Sequence, residues 1–83
     1  MTKTEMTILT CLMGSVANLS SGMRLVSEPK PYTDVMDGRH HKAALALMDR
    51  GLTVVEEQYP RKGMFTCWTV YEYYKELARR KEE

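Results

Sequence analysis

Two adjacent histidines, His40 and His41, stand three and four residues after Asp37 and are the first group that could do chemistry. Metal binding would be that chemistry, since imidazole and carboxylate are both zinc ligands. Neighbouring side chains on a helix point about 100° apart, however, so the two rings share one tetrahedral site poorly. Histidines at the edge of a helix–core boundary, or hydrogen-bonding a phosphate, are the plainer reading. Glu56 and Glu57 form an adjacent carboxylate pair, but alternation along a strand sends them to opposite sides. There is no nucleophile–base pair at suggestive spacing and no glycine loop to cradle phosphate. The sequence reads as that of a non-enzyme, with no cofactor and no metal.

Binding chemistry is better represented. From Arg39 to Lys62 the cations Arg39, Lys42, Arg50, Arg61 and Lys62 face only three acids, Asp49, Glu56 and Glu57. The formal net charge of the whole chain is +1, so any pull on a polyanion must come from this local patch.

Two elements would carry these cations. The first is a helix over 39–50, with no proline or β-branched residue and five Ala and Leu residues in its middle. Asp37 is the expected N-cap. Gly51 is the expected left-handed stop, with Leu52 folding back on the last turn. On a helical wheel Leu47, Ala44, Met48 and Leu45 form the inward arc, with His40 and His41 near its edges. Arg39, Lys42, Ala43, Ala46 and Arg50 form the opposite arc, with Asp49 beside them. Cations bracketing two alanines let a large partner approach the backbone; alternatively, Ala43 and Ala46 are simply good helix formers on a wet face. The second element is a β-hairpin over 52–70. Its turn, Pro60-Arg61-Lys62-Gly63, joins proline's fixed φ to glycine's positive φ.

Upstream, Thr2 and Glu5 form a capping box for a first helix over 1–19, with Met6, Leu9, Leu12, Met13 and Val16 as its inward stripe. Gly14 would mark a close crossing, and Ser20-Ser21-Gly22 a loop. Met23 to Val26 is either a short strand or a helical turn. Pro29 and Pro31 exclude regular helix there, and Pro31 can open a short helix over 32–36. After the hairpin, Thr69 caps a closing helix over 70–81. Its apolar positions Val70, Tyr71, Tyr73, Tyr74, Leu77 and Ala78 exceed one stripe, so Tyr73, Tyr74 and Leu77 are the candidate oligomer or partner interface. Arg79-Arg80-Lys81 suits the negative end of the helix dipole.

At 83 residues the chain holds one domain with one core. Apolar residues at 43% and charged residues at 28% place it among ordinary globular proteins. Cys11 and Cys67 lie outside any CxxC pattern and read as reduced thiols of a cytoplasmic protein. No apolar run nears the roughly 20 residues that cross a bilayer, and no secretory signal pattern opens the chain.

The order helix, short helix, longer helix, basic-tipped hairpin, closing helix resembles the winged helix-turn-helix family of DNA-binding domains. Ala44-Leu45-Ala46-Leu47-Met48-Asp49-Arg50-Gly51-Leu52 is similar to the end of the recognition helix in MarR- and PadR-like regulators. Trp68-Thr69-Val70-Tyr71-Glu72 resembles the second wing strand entering the last helix. The resemblance implies an α+β, mainly helical winged helix-turn-helix domain. It would have a two- or three-stranded antiparallel wing and a helix-turn-helix over 31–51. It further implies a small transcriptional regulator on double-stranded DNA. Arg39, Lys42 and Ala43 would face the major groove, Arg50, Arg61 and Lys62 would neutralise phosphates, and Thr33 and Tyr32 would donate to phosphate. A homodimer through the last helix would double these contacts. The competing expectation is a phage or mobile-element accessory protein of the same fold that docks on a host protein or nucleoprotein complex. In that case Ala43 and Ala46 form the docking stripe, with the tyrosines and Trp68 as anchors.

Overall fold

A computed structural model describes residues 1–19 and 22–82. The first helix, α1 (Lys3–Met13), opens on the expected capping box: Glu5 N donates to Thr2 Oγ1 at 3.1 Å, and Thr2 N donates to Glu5 Oε1 at 3.3 Å. It ends six residues earlier than the sequence suggests. Gly14 has φ +78 and is the C-cap, not a mid-helix crossing point. Ile8, Leu12 and Glu5 are buried, whereas Met6 and Met13 are exposed, so the inward stripe is rotated from the expected one.

Strands β1 (Ser15–Leu19) and β2 (Gly22–Ser27) pair antiparallel as a separate two-stranded sheet. The strand alternative for Met23 to Val26 is therefore the observed one. Of the expected loop, Ser20 and Ser21 lie outside the described residues.

The expected short helix over 32–36 is instead strand β3 (Tyr32–Val35). It pairs antiparallel with β5 (Met64–Thr69), Tyr32 opposite Cys67 and Val35 opposite Met64. One helical turn repays little of its nucleation cost, whereas a four-residue ladder satisfies the open edge of β5. Only Met36, Asp37 and Gly38 separate β3 from α2 (Arg39–Asp49), so the helix-turn-helix expected over 31–51 has no first helix. Asp37 is not the N-cap either. It adopts φ +67, one residue too early, and Gly38 caps the helix without a side chain.

The other end of α2 is as expected. Gly51 (φ +77) follows the C-cap Arg50, Gly51 N donates to Met48 O at 2.9 Å, and Leu52 N donates to Leu47 O at 3.1 Å. These two bonds make a Schellman motif. The hairpin also forms as expected, with β4 (Thr53–Glu57) antiparallel to β5 and the tip between them.

The main sheet has the order β3-β5-β4. Alternation on β5 separates its two faces. Phe65 and Cys67, with Tyr32 and Val55, pack under Ile8, Leu12, Ala43, Ala44 and Leu47 of α1 and α2. Thr66 and Trp68 face the other way, toward α3 (Val70–Glu82), whose start is capped by Thr69 Oγ1 accepting from Glu72 N at 3.1 Å. Both cysteines are free thiols. Burial pushes the Cys67 thiol up to about 11. The chain is thus an α+β domain whose three helices and three-stranded antiparallel sheet are compatible with a winged helix.

Candidate interaction surfaces

The first surface forms where α1 lies along α2. Arg39, Lys42 and Ala46 are exposed on the outer side of α2. Ala43, expected beside them, is only 9% exposed and belongs to the core cluster with Ile8 and Leu12. α1 closes over the side of α2 on which Ala43 lies, which leaves that residue little surface to offer a DNA groove. Between the helices runs an open groove of about 590 Å³, lined by Thr2, Thr4 and Glu5 on one wall and Arg39, Lys42, Ala43 and Ala46 on the other. Glu5 is 6% exposed. Its Oε1 accepts from Thr2, whereas its buried Oε2 has no hydrogen-bond partner among the described residues. The bonds from Thr2, with help from the Arg50 charge, hold the Glu5 carboxyl below the usual range, so it stays ionised.

Next to this groove the histidine pair splits. His41 is buried, and its Nδ1 accepts the Asp37 N–H at 3.0 Å, which places the ring proton on Nε2. Nε2 lies 3.4 Å from Glu57 Oε1. His40 turns the other way, stacked on Tyr32 with centroids 5.7 Å apart and 3.5 Å from Asp34 Oδ2. Tyr32 spends its hydroxyl on Asp34 Oδ2 at 3.1 Å, so it is not a free phosphate donor. Burial, then the Asp34 carboxylate, raises this phenol to about 12. Among the described residues no three His, Cys, Asp or Glu side chains are grouped to hold a metal ion.

The hairpin tip reaches the same end of α2, where Met36 N donates to Gly63 O at 3.0 Å. Arg61 and Lys62 are exposed there. Arg61, however, lies along Met64, its Nε 3.2 Å from Sδ, and Met64 shares the face of Thr66 and Trp68. Thr33 is on that face too, its Oγ1 3.1 Å from Thr66 Oγ1. Thr33 is therefore on the opposite face of the sheet from Tyr32, and the Arg61 side chain leans to the Thr33 face.

On that second face Arg80 grips Glu56 through two bonds, at 2.8 and 3.1 Å, and its guanidinium stacks 4.6 Å above the Tyr59 ring. Trp68 Nε1 donates to the same carboxylate at 3.2 Å, so Trp68, 8% exposed, is an internal post and not a partner anchor. The Arg80 bonds hold the Glu56 carboxyl below its usual range. Sequence reading missed this clip because 24 residues separate the partners; alternation put Glu56 and Glu57 on opposite faces but named neither partner.

Helix α3 contributes no buried residue. Tyr73, Glu76, Leu77 and Arg80 are its half-buried side, at helical spacing. Two of the expected interface residues, Tyr73 and Leu77, thus turn toward the sheet, while Tyr74 is 64% exposed alongside Tyr71 at 71% and Val70 at 38%. No described helix is long and apolar enough to cross a membrane. No protein-family model, no curated protein and no solved structure matches this chain.

Proposed function

We propose that this chain is a non-catalytic protein-binding module that docks on a larger protein or nucleoprotein complex and acts by occupying it. The observation that carries the proposal is the groove between α1 and α2. A duplex needs a recognition helix that stands proud of its neighbours. Here α1 runs along α2, strand β3 takes the place of the preceding helix with a three-residue turn after it, and Ala43 is nearly buried. A groove with small residues at Ala43 and Ala46, an ionised buried carboxylate at Glu5 and cations at Arg39 and Lys42 suits an inserted protein segment.

DNA binding is the second reading, and one observation favours it. Arg39, Lys42, Arg61 and Lys62 are exposed and make no ion pair among the described residues, whereas Lys75, Arg79 and Arg80 of α3 are all paired with glutamates.

Capture from a nuclease-treated lysate separates the two. The native chain should retain a stoichiometric protein, and Ala46→Arg, which fills the groove from an exposed helix position, should lose it. Random duplex should not shift at about 1 µM protein. Duplex binding that falls steeply with salt, with no protein retained, would overturn the proposal and establish the second reading.

A further inference from the structure

The groove between α1 and α2 contains an acceptor that the described residues leave unused. Glu5 is 6% exposed and lines the groove, yet its Oε2 has no hydrogen-bond partner among them. Oε1 is engaged, accepting from Thr2 N at 3.3 Å and from Thr2 Oγ1 at 3.0 Å. Two cations, Arg39 and Lys42, stand on the opposite wall, but neither reaches the free oxygen. A covered carboxylate with an idle oxygen is unfavourable, and a segment that closes the groove makes it more so by excluding water. Only an occupant that brings a positive donor to Oε2 offsets that cost.

Resting on the docking reading above, we infer that the segment inserted in this groove presents a lysine, its ammonium nitrogen donating to Glu5 Oε2. Lysine fits better than arginine. A guanidinium fork pairs best with both oxygens of a carboxylate, and here Oε1 is taken. An ammonium is a point charge that needs only the free one. Its aliphatic stem can lie over Ala43 and Ala46, whose methyl groups keep that wall shallow. Thr4 and Asp37 line the same groove and carry oxygens that the other N–H groups of the ammonium can use. Oε2 is covered while the groove is open, but the last torsion of a glutamate is soft. A small turn of the carboxylate meets an arriving donor.

Arg39 and Lys42 set what flanks that lysine. Both are exposed, one helical turn apart on the same wall. They repel a run of basic residues and attract carboxylates beside the inserted side chain. The occupant is thus a single lysine bordered by acidic residues, not a polybasic tail.

Amide NMR of the isotope-labelled chain, titrated with acetylated and amidated tripeptides, tests this. The probes are Glu-Lys-Glu, Glu-norleucine-Glu and Lys-Lys-Lys. With Glu-Lys-Glu the Thr2 and Ala46 amides should shift saturably, half complete at roughly 1–5 mM. The norleucine peptide, which lacks the ammonium, should bind at least about 10-fold more weakly, as should Lys-Lys-Lys. Glu5→Gln keeps the capping box, since glutamine also serves there, and should weaken Glu-Lys-Glu by about 10-fold with an unchanged circular dichroism spectrum. Equal binding of either control peptide would overturn the inference, and so would binding indifferent to Glu5→Gln. Docking itself is judged separately, by Ala46→Arg in the lysate capture. A protein lost with Ala46→Arg but fully retained by Glu5→Gln would leave docking standing and sink the lysine seat. Peptide binding that needs Glu5, with no protein captured, would keep the seat and remove the docking reading.

Discussion

Arg80, in the last turn of α3, holds Glu56 on β4 through its two terminal guanidinium nitrogens, at 2.8 and 3.1 Å. With Trp68 donating to the same carboxylate, this clip ties α3 to a sheet in which the helix buries nothing of its own. Arg80→Ala should loosen α3, lower the melting temperature by roughly 5 °C and shift the emission of the single tryptophan to the red. An unmoved Trp68 spectrum would show that α3 is held by something else.

The same carboxylate makes the fold acid-sensitive. Arg80 holds the folded Glu56 below its ordinary value of 4.5, so the unfolded chain takes up the proton first as pH falls. The stabilisation is complete above that ordinary value and is lost as pH falls through the depressed one. Melting temperature should drop below about pH 4.5, and Glu56→Gln should flatten that drop. Glu5 and Glu76 are depressed as well, so some acid sensitivity must survive the substitution. A profile unchanged by Glu56→Gln would remove Glu56 as a source.

Gly51 closes α2 with φ +77, and a Cβ built there meets no atom within 4 Å. Substitution is therefore a backbone matter alone. Gly51→Ala should destabilise by about 1–2 kcal/mol, and Gly51→Asn by less, because asparagine tolerates the left-handed region. Urea denaturation reads the difference; equal losses for the two variants would point to a packing cause.

His41 and His40 should behave unalike. His41→Ala removes the acceptor of the Asp37 N–H and a buried ring packed 5.0 Å from Phe65, at a cost of about 2–3 kcal/mol. His40→Ala, at a half-exposed ring, should cost under about 1 kcal/mol. Chemical denaturation that ranked them the other way would contradict the buried placement of His41.

The two thiols should also separate. Cys67 is fully buried with its thiol raised to about 11, while Cys11 is half-buried. Mild iodoacetamide followed by peptide mass mapping should find Cys11 alkylated first, with Cys67 protected until denaturant is added. Equal labelling in the native state would mean that the core opens easily at β5.

Local chemistry alone determined the parts of this protein that neighbouring residues can specify. The Thr2–Glu5 box, the Gly51 stop, the hairpin tip at Pro60 to Gly63 and the Thr69 cap each close within a few residues, and each forms as its residues indicate. What only tertiary structure decided was which local option won where several were open. Tyr32–Val35 had a helix-opening proline before it, yet the edge of β5, 29 to 35 residues away, made it a strand. Ala43 looked like an outward residue until α1 covered it, because a wheel gives directions and not neighbours. The same limit applies at the hairpin tip, where Arg61 lies against Met64, a contact that the charge count of the tip does not name.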